Sequence, residues 1–280
     1  MKQNKAAPTP HPAPAPPARA RRQSVQAAST GFAVLKGLAR LGGRASLTAL
    51  AAHVDENPAK VHRYLVSLIE GGLVAQDASS QQYRLDLEAM LIGVAAMRQS
   101  DPVRIAEASL IQLRETLEVT CFVAVMGNKG PTIVRFEEPG LPVTVNVRVG
   151  SVLSMLWSAT GRVFLGLLDE ARVRALAREE FAALPPDQQI GISFEDFVAQ
   201  LQKEVRAAKC AVVKDTNLKG ISAVSAPIYN YAGQLTAVLT ALGATGGFDS
   251  SVDGEVAVAV RREAMAASAL LGYRPDSVSG

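Results

Sequence analysis

The chain has 280 residues, 48% hydrophobic and 20% charged, a composition that suits a folded protein with room for two cores. It lacks the run of roughly 18–20 apolar residues that a membrane-spanning helix needs. Its first residues hold Pro and Ala where a secretion signal would hold an apolar segment. Two cysteines, Cys121 and Cys210, make neither a disulfide framework nor a metal-ligand spacing, so the cytoplasm is the expected compartment. The net charge of +3 is unevenly spread: residues 1–100 carry 12 Lys and Arg against 6 Asp and Glu, and residues 101–280 carry 17 against 20. A basic front suits a polyanionic partner.

Residues 1–29 form a Pro-, Ala- and Arg-rich arm, expected to be disordered because it has too little apolar surface to offset the entropy of ordering. A leader without a role is the preferred reading of it, with phosphate or minor-groove contacts from Arg19, Arg21 and Arg22 as the alternative. Residues 30–85 read as three short helices and a hairpin. Phe32, Val34, Leu35, Leu38 and Leu41 recur at helical spacing before Gly42-Gly43. Ser46 is placed to cap a second helix bearing Leu47, Leu50, Ala51 and Val54. Asn57 caps a third, with Pro58 at the first position, where its missing N–H costs nothing. Val61, Leu65 and Leu68 face inward from that helix, and Lys60, His62, Arg63 and Ser67 outward. With the hairpin of "LVAQDASSQQYRL", the order is that of a winged helix-turn-helix, whose third helix can enter a major groove.

An apolar-rich linker helix is expected over 86–100, with Leu87, Met90, Leu91, Val94 and Met97 as a dimer contact. A helix capped by Asp101 follows. Strands are expected at 119–126, 131–137 and 143–149, the first two joined by Gly-Asn-Lys-Gly, and helices at about 158–168, 170–180 and 193–208. Strands return at 210–213, 221–229 and 234–242, before a final helix at about 252–271 and a tail at 273–280. Hairpin-linked strands with helices set aside give an α+β domain with an antiparallel sheet over 101–272. "GATGG" at 243–247 lacks the spacing of a nucleotide fingerprint and reads as a loop.

Three blocks together resemble the IclR family of bacterial transcription regulators. The first is "LTALAAHVDENPAKVHRYLVSLIEGGLV" with "YRLDLEAMLIG" after it. The second is "VGSVLSMLWSATGRVFLGLL", where Ser154 stands in place of the family's usual Pro, Ser158 of Thr and Arg162 of Lys. The third is "GISAVSAPIYNYAGQLTAVLTALG", where Ala223 takes a Cys position, Ser225 an Ala position and Asn230 an Asp position. The resemblance implies a GAF-like effector-binding domain behind the winged helix-turn-helix, and a homodimer or tetramer.

The expected contacts to a double-stranded DNA operator are Asn57, Ala59, Lys60, His62 and Arg63 on the third helix. Arg44, Ser46 and Thr48 open the second helix, and Gln82 and Arg84 lie in the wing. Arg63 could read guanine O6 and N7, while His62 is placed on a phosphate. A solvated basic face is the alternative for the same residues, and the flanking helix-turn-helix frame favours the DNA reading. For a small-molecule effector the candidates are Met155, Trp157, Ser158, Ala159, Thr160, Gly161, Ala223 and Thr240. Ser158 to Gly161 open a helix whose free amides suit a carboxylate, so an organic acid or aromatic metabolite is expected. A purely structural cap, and Met155 and Trp157 as core, remain the alternative. No histidine follows His62, which rules out a His-based triad or His-ligated metal in the larger part. No cofactor, metal or membrane partner is expected. A ligand-gated regulator accounts for both halves; an enzyme-derived or architectural DNA-binding protein without gating is the rival.

Overall fold

The structure, a computed structural model, describes residues 25–140, 147–184 and 191–275. It divides into two compact units between Met97 and Arg98.

The first unit opens with α1 (Gln26–Arg40), which starts inside the segment expected to be a disordered arm. Its buried residues Thr30, Val34, Gly37 and Leu38 fall on one stripe. Phe32 does not: two residues from Val34 it points about 200° round the helix and is 61% exposed, which corrects its expected place in the core. Gly37 lets α1 close on the next helix, since a Cβ there would lie 2.5 Å from Val54 Cγ1. Strand β1 (Arg44–Ala45) then leads into α2 (Leu47–His53), capped by Ser46, whose Oγ accepts from the Ala49 amide. Helix α3 (Pro58–Glu70) starts at Asn57 with proline first, as expected. Strands β2 (Val74–Gln76) and β3 (Tyr83–Leu85) form the hairpin, and β1 adds a third strand in the order β1-β3-β2. The unit's core is Val34, Leu38, Leu50, Val61, Leu65, Val74 and Tyr83. Helix α4 (Leu87–Arg98) follows with no buried residue at all.

In the second unit, α5 (Pro102–Leu117) starts at Asp101, whose carboxylate accepts from the Val103 and Arg104 amides. Strands β4 (Thr120–Gly127), β5 (Gly130–Glu137), β6 (Ala211–Lys214), β7 (Ile221–Tyr229) and β8 (Leu235–Ala244) build one antiparallel sheet in the order β5-β4-β8-β7-β6. Helices α6 (Ala159–Leu167), α7 (Ala171–Ala182) and α8 (Phe194–Ala208) precede β6, and α9 (Glu255–Leu270) closes the fold. Side chains alternate across the strands. Cys121, Val123, Val224, Ala226, Leu239 and Ala241 face α5 and α9, whereas Val238 joins the core of α6 to α8. The strand expected at 143–149 falls largely outside the described residues, and 147–149 are not strand. Instead, residues 148–153 lie along β5: Ile133 N donates to Ser151 O and Leu153 N to Pro131 O.

Candidate functional site

In α3 the first two turns divide as their spacing dictates. Val61 and Leu65 are fully buried, while Ala59, His62 and Arg63 are exposed. Among the described residues, neither His62 nor Arg63 has a hydrogen-bond or ion-pair partner, so both are free for an outside ligand. Lys60 is not. Its Nζ lies 2.6 Å from Glu56 Oε1, a half-buried pair that a phosphate would have to displace. Asn57 spends its carbonyl on the Ala59 amide at 2.8 Å, and Ser46 its oxygen on Ala49. Both act first as helix caps; Thr48, beside Ser46, is exposed.

The strand pairing adds what residue spacing cannot show. Arg44 of β1 stands directly opposite Arg84 of β3, both exposed. Like charges facing across a ladder repel, and Asp86 offsets only Arg84, at 3.0 Å. A phosphate between the two arginines would relieve that repulsion. The hairpin beyond them is held by Asp77, whose Oδ1 accepts from the amides and hydroxyls of Ser79 and Ser80. Those bonds hold its carboxyl well below the usual carboxylate range. Gln82 is half-buried, and its backbone carbonyl accepts from Asp77 N.

The second unit encloses a cavity of about 40 Å³ on the sheet face that carries α6. Ser158, Ala159, Thr160, Ala223 and Thr240 line it, with Phe122, Leu153, Ile221 and Leu242 as apolar wall. The register explains the convergence: Thr240 on β8 pairs with Ser225 on β7 and with Phe122 on β4. Thr160 reaches down from α6 to both hydroxyls, 2.9 Å from Thr240 Oγ1 and 3.3 Å from Ser225 Oγ. Ser225 and Thr240 are 2.8 Å apart, and all three residues are buried. Three hydroxyls with three protons can close such a ring, each donating once.

Ser158 caps α6 through the Gly161 amide, which leaves the Ala159 and Thr160 amides as first-turn donors. Gly161 itself does not line the cavity. A Cβ there would sit 2.1 Å from the Ser154 carbonyl oxygen, so glycine is needed for close packing. Met155 is likewise absent from the cavity, buried in the core of α6 to α8, and the Trp157 ring packs 6.1 Å from that of Phe197. Met155 and Trp157 lie away from the cavity for one reason. Residues 154–157 turn away before α6 begins, held by Glu180, which accepts from Ser154 Oγ and Met155 N.

Sequence reasoning missed the loop 215–220, which roofs the cavity with Asn217 and Leu218. Asp215 ties it down by accepting from Gly220 N and Thr245 Oγ1, both at 2.8 Å, and Thr216 Oγ1 donates to the Trp157 carbonyl. The Asp in "KDTNLKG" was the only available signal, since an Asp before a polar, Gly-ended stretch suits a side-chain-closed turn. Among the described residues no group of His, Cys, Asp and Glu could hold a metal, and no helix is long and apolar enough to cross a membrane.

A helix-turn-helix unit followed by a separate α+β unit is a build found in transcriptional regulators. Residues 27–78 match the IclR helix-turn-helix domain, and residues 94–269 match the bacterial transcriptional regulator IclR C-terminal domain. The chain belongs to the IclR family. It is similar to the crystal structure of Pseudomonas aeruginosa HmgR, with 38% identity and a TM-score of 0.82 over 90% of this chain and 100% of that one. The Agrobacterium tumefaciens repressor BlcR shares the fold at 19% identity and a TM-score of 0.72, over 90% of this chain and 99% of that one. A curated relative, the probable transcriptional regulator SauR of Cupriavidus necator, is 24% identical over 253 residues, 89% of this chain and 92% of that one.

Proposed function

We propose that this regulator binds a double-stranded DNA operator sequence-specifically in the cytoplasm, as a homodimer or tetramer, and that a small-molecule effector in the second unit sets its affinity. The observation that carries the reading is the division of α3: Val61 and Leu65 anchor it while His62 and Arg63 stand exposed and unpaired among the described residues. Arg44 and Arg84 supply phosphate contacts beside it, and Thr48, Asn57 and Ala59 lie at the helix ends that approach the backbone. Lys60 joins by exchanging Glu56 for a phosphate, which replaces one half-buried charge pair by another. Gln82 has the weakest support.

The exposed apolar residues of α4, Leu87, Met90, Leu91 and Ile92, suit burial against a second copy. A two-fold dimer would then read two half-sites about one helical turn apart, or a multiple. The effector has an apolar or aromatic body against Phe122, Leu153, Ile221 and Leu242. Its acidic or hydroxylated end meets Thr160, Thr240 and the α6 amides; among the described residues no charged side chain lines the cavity. At about 40 Å³ the cavity holds only a few waters, so entry requires the 215–220 loop to move. A coupling of about 1–3 kcal/mol between the sites is enough for regulation.

Thermal-shift screening of organic and aromatic acids against the full-length chain tests the gated half. Ligands that stabilise wild type and fail to stabilise Ala223→Leu, which fills the cavity, support the reading. Equal stabilisation of both proteins places the ligand elsewhere, and no stabilisation by any acid contradicts the effector class.

A further inference from the structure

We propose that the second unit carries another ligand site, for an amphipathic anion, at the far end of α6 from the effector cavity. Strand β6 is only four residues long and covers β7 from Ser222 to Ser225. Ala226 to Tyr229, paired with β8 on one side, therefore have no strand on the other, and a cleft of about 230 Å³ opens there between α8 and α9. An extended peptide is a poor occupant, because this edge has lost its donors. Pro227 has no N–H, and the Tyr229 amide already donates to Ser268 Oγ at 3.0 Å. What the cleft offers instead is an apolar floor of Leu167, Val205, Ala264 and Met265, closed at one side by Tyr229 and Tyr273. Those two rings stack with centroids 4.9 Å apart.

Charge identifies the occupant. Arg206, Lys209 and Arg261 line the cleft, and among the described residues no carboxylate does. Arg261 Nη1 is held by neutral acceptors only: the carbonyl oxygens of Val252 at 2.7 Å and Ala208 at 3.3 Å, and Cys210 Sγ at 3.3 Å. Among the described residues none of the three cations has a carboxylate within ion-pair distance. Three positive charges without an ion-pair partner among the described residues, set around an apolar floor, favour a carboxylate carried on an apolar body. Burial pushes the Tyr229 hydroxyl up to about 12, so it stays a neutral wall and adds no opposing charge.

The position also couples the cleft to the effector cavity. Helix α6 begins at the cavity with Ser158 to Thr160 and ends in the cleft with Leu167, nine residues or about 13 Å away. Strand β7 likewise lines the cavity at Ala223 and the cleft at Ala226. An anion seated in the cleft would pull on the helix whose first turn meets the effector.

The test is calorimetric titration of the full-length chain with octanoate, and with 1-octanol as the uncharged control. The expected result is one octanoate per chain, little binding of octanol, and a loss of about 10-fold or more in affinity in Arg206→Glu/Lys209→Glu. Both residues are exposed, and Arg206→Gln/Lys209→Gln, which weakens binding without reversing charge, guards against a folding defect. Absence of octanoate binding, equal binding of octanol, or indifference to both double substitutions would overturn the proposal. Loss of binding in Thr160→Val alone would do the same, by placing octanoate in the effector cavity.

Discussion

Replacing Thr240 by valine keeps the shape of the side chain and removes one corner of the hydroxyl ring. Two contacts go, at 2.9 Å to Thr160 and 2.8 Å to Ser225, and the remaining pair is left 3.3 Å apart. A buried hydrogen bond contributes about 0.5–1.5 kcal/mol net, so the loss is roughly 1–3 kcal/mol. The extra buried methyl returns less than about 1 kcal/mol. The expected net destabilisation is therefore about 1–2 kcal/mol. Removing all three hydroxyls, as Thr160→Val/Ser225→Ala/Thr240→Val, leaves no unpaired polar group and should cost no more than the single change. Urea unfolding followed by Trp157 fluorescence measures this, since the chain's one tryptophan lies in the same unit. A neutral Thr240→Val, or a triple variant several times worse than the single, would refute the closed ring.

Other expectations follow from packing and burial. Gly161→Ala forces a Cβ to within 2.6 Å of Met155 Cα as well as onto the Ser154 oxygen, and should destabilise by about 3 kcal/mol or more in the same assay. Gly93→Ala in α4 meets nothing within 4 Å and should be neutral or stabilising by up to about 1 kcal/mol. Asn57→Ala removes the α3 cap and should cost about 1 kcal/mol, with Asn57→Ser close to wild type in thermal melts. Burial raises the Cys121 thiol from 9.0 to about 12. A raised thiol favours the folded state fully below pH 9, so stability should hold to that pH and fall as pH climbs toward 12. Cys121→Ala should flatten that fall, and native protein at pH 8 should resist iodoacetamide until unfolded.

The helices and most strands were legible because their signals are local. Ser46, Asn57-Pro58 and Asp101 mark helix starts, and short apolar-rich runs bounded by turn residues mark β4, β7 and β8. Non-local pairings were less so. Nothing in the spacing of Arg44 and Arg84 announces that they face each other, because a two-residue strand carries no pattern. Thr160, Ala223 and Thr240 were found at the cavity through the family's motif, but Ser225 between them was passed over as a mere variant of an alanine position. Met155 and Trp157 were drawn in by proximity in sequence to Ser158, although the turn at Ser154 sends them into the neighbouring core.

The most direct measurement is selection of a bound sequence from random duplexes, followed by titration of wild type and Arg63→Ala on that duplex and on non-specific DNA at one salt concentration. The account predicts a pseudo-palindrome with half-sites about one turn apart or a multiple. Arg63→Ala should lose about 1–3 kcal/mol on the selected duplex and far less on the non-specific one. Selection of no sequence, or an Arg63→Ala protein that still discriminates as wild type does, would contradict it.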